Sequence, residues 1–314
     1  MLERMTVASP YAPALARMPV STRVLDLAGS GTRVWEYGPA GADDAARASA
    51  RILVVVVHGF RGDHHGLEPV IAQLDDTRLP GARIVAPDLP GFGESTPLTA
   101  THDIDGYTGW LRELVDTVRA ESPEARLVIL GHSFGSIIVS AALAQGLPAD
   151  DAILVNPISA PALKGPRGFM TRLAIGYYQF SAAVPEKLGF AVLRSGLVVQ
   201  IMSNTMAKTK EKPLRRWIHD QHHRYFSAFA NRSVVLDAFK ASVSHDVSEY
   251  AAGIAVPTLM IAADKDDITP MAAQYQVQGA IPGAQLVVLH DVGHLIHYER
   301  PLEAAAAIEQ FLAS

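Results

Sequence analysis

Ser133 stands at the centre of Gly131-His132-Ser133-Phe134-Gly135, between the apolar run Leu127-Val128-Ile129-Leu130 and Ile137-Ile138-Val139. A serine flanked by glycines two positions to either side, where a strand turns sharply into a helix, is the arrangement a nucleophilic hydroxyl needs. The turn drives the serine backbone to positive φ, which is strained unless its neighbours are small. The helix that follows aims free N–H groups and the positive end of its dipole at developing negative charge, as an acyl-transfer oxyanion requires. Such chemistry also needs a base, an acid that orients the base, and a second N–H donor. Leu289-His290-Asp291-Val292-Gly293-His294-Leu295-Ile296-His297 offers three histidines after the last apolar run. His294 is the expected base, because Gly293 frees the chain to turn one ring back toward the sheet edge. His290 stays close to the strand, and His297 lies at the start of the final helix. Residues 262–270 supply Asp264, Asp266 and Asp267 at another strand end. An aspartate there can orient an imidazole, cap a helix or sit in a solvated turn.

These groups require a scaffold that delivers strand ends to one edge. Residues 52–57 are apolar at every position, as in a strand buried on both faces of a parallel sheet. Similar runs recur at 83–86, 127–130, 153–155, 258–262 and 286–289, with helical patterns between them at 67–74, 107–118, 134–144, 271–278 and 301–312. The alternation predicts an α/β fold built on a doubly wound, mostly parallel sheet. Residues 23–27 and 32–37 alternate as hairpin strands around Gly29-Ser30-Gly31, residues 1–22 read as an N-terminal extension, and 38–50 read as a linker. From 157 to 246 the pattern is helical, with Leu214, Trp217, Ile218, Gln221, His222 and Tyr225 on one face, and no buried strand is evident. This segment is expected to be a helical cap or lid inserted into a core formed by 23–156 and 247–314. It carries a net charge of +8 against −13 for the rest of the chain, so a basic cap is set on an acidic body.

From about residue 23 to 314, the cap excepted, the chain resembles the α/β-hydrolase superfamily, in particular its serine esterase and lipase-like branch. In that family the acid lies in a G-x-x-D-x-x-x-P pattern, which here points to Asp266, with Ala263 in place of the glycine and Asp264 as the alternative. Gly293-His294 followed by Glu299-Arg300-Pro301 matches the family's base motif, and Ser133, Asp266, His294 is the family's order. Some members carry the acid after the strand that ends here at Asn156, but an amide cannot be that acid. Val57-His58-Gly59-Phe60 resembles the oxyanion loop, which implies the backbone N–H groups of Phe60 and Phe134 as donors. Asp88-Leu89-Pro90-Gly91-Phe92-Gly93-Glu94-Ser95 resembles the D-x-P-G-x-G-x-S loop that shapes the site without doing chemistry. The resemblance implies an eight-stranded sheet and hydrolysis of carboxylic esters through an acyl-enzyme, with no cofactor. It also admits thioester, lactone, amide or carbon–carbon bond hydrolysis, cofactor-free perhydrolysis, and a slow or non-catalytic ligand sensor. Epoxide and haloalkane hydrolases of this fold usually place aspartate at the elbow, so Ser133 counts against them.

Composition narrows the class further. A chain of 314 residues with 49% hydrophobic residues can bury a large core and fits one enlarged domain. The absence of cysteine excludes disulfides, thiolate zinc sites and cysteine nucleophiles. No run approaches the roughly 18 apolar residues of a membrane span, and residues 1–20 lack the apolar block of a signal peptide, so a soluble, cytoplasmic protein is expected. The net charge of −5 gives no case for nucleic-acid binding. The basic cap suits an anionic substrate, peripheral contact with an anionic lipid surface, or simply a solvated helical face, with the last favoured slightly. Gly62-Asp63-His64-His65 and His219-Asp220-Gln221-His222-His223 raise a metal site, but the spacing is poor and no third ligand is indicated, so no metal is expected. Cap aromatics such as Tyr178, Phe180, Phe190, Trp217, Tyr225 and Phe229 suit an apolar pocket above Ser133, although core packing explains most of them. The expected substrate is a small molecule with a hydrophobic acyl or aryl group.

Overall fold

Runs of valine, isoleucine and leucine that cannot face water on either side force the strands into the middle of the molecule. The structure, a computed structural model, describes residues 7–39, 43–161 and 168–314. The start of the N-terminal extension, the middle of the 38–50 linker and residues 162–167 of the expected cap lie outside the described residues. Eight strands, β1 (Val20–Leu27), β2 (Ser30–Tyr37), β3 (Ile52–Val57), β4 (Ala82–Pro87), β5 (Arg126–His132), β6 (Asp151–Val155), β7 (Thr258–Ala263) and β8 (Gln285–Leu289), form one sheet. Their order is β1-β2-β4-β3-β5-β6-β7-β8. β1 and β2 are antiparallel to each other and β2 is antiparallel to β4, whereas β3 to β8 pair in parallel.

Period-two alternation divides the sheet's side chains between two cores. Val55, Val57, Leu127 and Ile129 pack on one face with the helices Ile104–Glu121 and Phe134–Ala144. Val54, Val56, Val128 and Leu130 pack on the other with the helix Pro301–Leu312. The helix Ile104–Glu121 follows from its sequence: Asp103 accepts the Gly106 N–H at 2.9 Å as N-cap, and Tyr107, Trp110, Leu111, Leu114, Val115 and Val118 make a buried stripe at helical spacing. The expected helix at 67–74 is shorter, Glu68–Ile71, because the chain tightens into i→i+3 turns at Gln73 and Leu74.

The β1–β2 hairpin turns at Ala28-Gly29, with φ of 51° and 72°, and Ser30 is already the first residue of β2. Two consecutive positive φ values match the right-handed twist of the strands, which moves the turn one residue earlier than the glycines suggest. Within the linker, Asp43 caps a short helix, Asp44–Ala48. In the N-terminal extension, Tyr11 donates its hydroxyl proton to the Tyr298 carbonyl at 2.7 Å and meets Trp217 edge-on. That strap therefore reaches the chain just beyond His294.

Among the described residues, five α-helices, Gly168–Ala183, Glu186–Leu193, Gly196–Met206, Lys212–Tyr225 and Arg232–Ser244, stand between β6 and β7. Among the described residues no helix is long and apolar enough to cross a membrane. The register sets the functional edge: Val57 lies opposite Gly131, His132 opposite Val155, and Ala263 opposite Leu289. The carboxyl ends of five neighbouring strands are therefore level, and the loops that follow them meet.

Candidate active site

Ser133 leaves β5 with φ 52° and ψ −117°, in the left-handed half of backbone space, and its N–H donates to the Val155 carbonyl at 3.1 Å. Glycine is obligatory on both sides for steric reasons. A Cβ on Gly135 would lie 2.2 Å from the Val57 carbonyl oxygen, and one on Gly131 would lie 2.5 Å from the Gly135 carbonyl oxygen. The strand and helix that frame the serine can cross only because neither residue has a side chain.

Three residues expected from widely separated segments come together here. Ser133 Oγ lies 2.7 Å from His294 Nε2, and His294 Nδ1 lies 2.8 Å from Asp266 Oδ2. With Nδ1–H donating to the carboxylate, Nε2 is the acceptor for the serine proton. The imidazole is 5% exposed, so water competes little for these bonds. Asp266 Oδ1 accepts the Ile268 N–H at 2.8 Å and the Thr269 N–H at 3.4 Å. Burial by itself would raise the Asp266 carboxyl, but the His294 imidazole and these two N–H groups more than offset it and hold the pKa below the usual range. Asp266 is therefore an anion aimed at the imidazole.

The alternatives are sorted by geometry. Asp264 faces away and accepts from the exposed His290 ring at 3.1 Å. His297 is buried against His132 with ring centroids 4.2 Å apart, and burial pushes its pKa well below the ordinary histidine value. His132 is lowered to about 3, first by burial and then by the nearby His294, so it is neutral at any working pH. Its ring packs over Gly59, where a Cβ would come within 3.1 Å of His132 Nδ1.

Asn156, whose amide cannot be the acid, nevertheless stands at the site. In the structure it is fully buried, adopts φ 45° at the end of β6, and donates Nδ2–H to Asp266 Oδ2 at 3.2 Å. Its Nδ2 also lies 3.4 Å from the Gly293 carbonyl, and its Oδ1 accepts the Ile296 N–H at 3.4 Å. One amide thus ties the acid to both sides of the base. A strand-end position marks the residue in the sequence, but the role of its amide depends on neighbours that only the fold brings to it.

On the other side of Ser133, Gly59-Phe60-Arg61-Gly62 closes a turn through a Gly62 N–H to Gly59 carbonyl bond of 3.1 Å. A Cβ on Gly59 would stand 3.2 Å from Ser133 Cβ, so this turn borders the serine directly. The backbone N–H of Phe60 and that of Phe134 donate to no other described residue. His58 fixes the base of the turn. Leu89 N–H donates to its Nε2 at 2.8 Å, which leaves Nδ1–H to donate to the Gly59 carbonyl at 2.8 Å. The Asp88 loop is held in the same way: Asp88 accepts from His64 N–H at 2.9 Å and Glu94 N–H at 2.8 Å.

The Phe60 ring is surrounded by Phe92, Phe134, Tyr178 and Phe239 at centroid distances of 6.0–6.3 Å, and Tyr178 stacks on Phe239 at 3.7 Å. Phe180, by contrast, is 55% exposed. Asp63, His64 and His65 offer potential metal-ligating atoms within 4.8 Å of one another. Within this group His64 Nδ1 bonds Asp88 at 2.9 Å, and Asp63 Oδ1 accepts the His65 N–H at 3.0 Å.

Residues 52–301 match the family model described as alpha/beta hydrolase fold. The chain is 27% identical over 266 residues to Lipase 1 of Psychrobacter immobilis, covering 82% of this chain and 76% of that protein. It is 29% identical over 273 residues to pyrrolizixenacetamide deacetylase of Xenorhabdus hominickii, covering 83% and 91%. Among solved structures, an esterase of Exiguobacterium antarcticum superposes with a TM-score of 0.69 at 16% identity, over 93% of this chain and 98% of that one, a likeness of fold.

Proposed function

The chain belongs to the α/β-hydrolase family, and from that premise we propose that it is a serine hydrolase cleaving carboxylic esters through an acyl-enzyme. The observation that carries this reading is the unbroken relay Asp266–His294–Ser133, with bonds of 2.8 and 2.7 Å. His294 Nε2 takes the Ser133 Oγ proton as the oxygen attacks the ester carbonyl carbon. Asp266 holds the ring tautomer and stabilises the imidazolium, and the Phe60 and Phe134 N–H groups bind the oxyanion. His294 then returns the proton to the leaving alkoxide and the alcohol departs. Water, deprotonated by the same imidazole, attacks the acyl carbonyl; as the acyl–Oγ bond breaks, the imidazolium passes that proton to Ser133 Oγ, and the carboxylic acid leaves with water's other hydrogen.

Residues 157–246 serve as the lid over this site in our reading. Tyr178 and Phe239 from that segment, together with Phe60, form an aromatic wall that favours hydrophobic acyl or aryl groups over short polar ones. The esterase, lipase and deacetylase named among the similar proteins support acyl transfer to water as the reaction class.

The test is Ser133→Ala assayed against a panel of 4-nitrophenyl esters of graded acyl length. Turnover should fall about 10⁵-fold and fluorophosphonate labelling should cease, while the thermal melt is unchanged. Retained turnover would reject the assignment. A parent enzyme that hydrolyses acetate esters far faster than medium-chain or aromatic ones would reject the hydrophobic-substrate reading alone.

A further inference from the structure

Beside the turn that carries the Phe60 N–H lies a guanidinium sealed from water. Arg61 is 1% exposed, and no carboxylate among the described residues pairs with it. Its Nε donates to the Phe226 carbonyl at 2.9 Å, one terminal nitrogen donates to the Tyr178 hydroxyl at 3.2 Å, and the other donates to the Leu193 carbonyl at 2.7 Å. Its central carbon lies 5.3 Å from the centroid of the Phe229 ring. All four partners belong to the inserted helical segment. The residue's own backbone adopts φ 62°, where glycine would be at ease and arginine is strained.

The same segment is sewn to the core a second time nearby. Gly93 N–H donates to the Ala228 carbonyl at 2.8 Å, and Ala230 N–H donates to the Gly91 carbonyl at 2.9 Å. Through the Leu89 to His58 bond that seam also ends at the Gly59 turn.

We propose that Arg61 is a positioning residue through which the inserted helices hold the Gly59-Phe60-Arg61-Gly62 turn, so that seating of the insertion and the aim of the Phe60 N–H are one equilibrium. The inference rests on reading that N–H as an oxyanion donor. A desolvated cation is tolerated only while its hydrogen bonds are made. When the insertion lifts, the guanidinium moves to water, and only the Gly62 to Gly59 turn bond is left to hold residue 61 in the left-handed region. The turn relaxes, and the amide beside Ser133 swings off its target. Binding of an apolar acyl group depends on the aromatic wall, whereas the oxyanion bond strengthens in the transition state. Loss of Arg61 therefore falls on kcat and spares KM.

The decisive variant is Arg61→Gly, compared with Arg61→Met, Arg61→Lys and Ser133→Ala on 4-nitrophenyl butyrate. Glycine adopts positive φ freely, so if the side chain matters only to its own turn, Arg61→Gly keeps full activity. The proposal expects kcat to fall about 10²-fold in the Gly and Met variants, as for removal of one oxyanion donor. KM should stay within about threefold, and affinity for a methyl trifluoromethyl ketone should weaken in parallel with kcat. Arg61→Lys should recover part of the loss, since an ammonium reaches fewer of the three acceptors. A Gly or Met variant with kcat within about twofold of the parent would overturn the proposal. Parental turnover by Ser133→Ala would instead overturn the hydrolase reading beneath it. Should the Arg61 variants not fold, amide exchange in the parent decides. Binding of the ketone should slow exchange around residues 193–196 and 226–230, and unchanged exchange there would overturn the proposal.

Discussion

Two aspartates two residues apart, Asp264 and Asp266, have opposite fates, and the difference is set by backbone. Asp266 N–H bonds back to the Ala263 carbonyl, which curls the chain so that residue 266 faces His294 while Asp264 faces His290. The G-x-x-D-x-x-x-P pattern pointed to Asp266, but with alanine at 263 it could not dismiss Asp264, because a one-turn difference in loop path leaves no mark on residue type. Asn156 was illegible for a related reason: an amide becomes informative only once its two neighbours are known. In our reading Asp266→Asn should lower kcat about 10⁴-fold by presenting the wrong partner to Nδ1, whereas Asp264→Asn should stay within about twofold of the parent. Steady-state kinetics of the two variants on one ester distinguishes them, and equal losses would reassign the acid.

At the scale of elements, the sequence was most readable where burial is continuous. Apolar runs at 52–57 and 127–130 could only be internal strands, and the helical character of 157–246 showed in its spacing. How that segment grips the core was hidden, because Arg61 bonds to the carbonyls of Phe226 and Leu193, and a carbonyl has no sequence signature. Glycines give the sharpest test of element geometry. Gly135→Ala puts a Cβ 2.2 Å from the Val57 carbonyl oxygen and should destabilise the fold by more than about 3 kcal/mol. Gly109 lies exposed inside the helix Ile104–Glu121 with nothing within 4 Å of an added Cβ. Gly109→Ala should therefore stabilise by about 0.5–1 kcal/mol. Urea unfolding of the two variants should move in opposite directions.

Across the whole molecule, the end of the sheet away from the elbow is fastened by charge. Glu36 and Arg83 are both fully buried and meet at 3.0 Å; Glu36 also takes Arg23 at 2.8 Å and Arg47 at 2.9 Å, and Arg83 reaches Glu121 at 2.6 Å. This network joins the β1–β2 hairpin to β4 and to the helix Ile104–Glu121, which lie well beyond it in sequence. Glu36→Ala leaves Arg83 buried beside two other cations and should cost about 3–5 kcal/mol in urea unfolding at neutral pH, with kcat unchanged at temperatures where the variant is folded. Burial would raise the Glu121 carboxyl, but Arg23 and Arg83 hold it below its usual range. Asp266 is likewise held low. Groups with depressed folded-state values stabilise above the unfolded carboxyl range, near about 4, and that contribution is lost as pH falls through the folded values. With His132 and His297 also held neutral by burial, the urea midpoint should be highest above about 7, begin to fall as the unfolded chain's histidines take up protons near about 6.5, and drop further in acid; a midpoint that rises on acidification would contradict these directions.

The tyrosine clasp between residues 11 and 298 spans 287 positions of chain, and the bond between the serine and the imidazole spans 161. Translation runs in one direction, so the elbow emerges long before its partner exists, and the clasp waits longer still. A ribosome that stalls between residues 133 and 294 releases a polypeptide with the serine hydroxyl but, in our reading, no base to activate it. In our reading, hydrolytic capacity is thus withheld until residue 294 has been made.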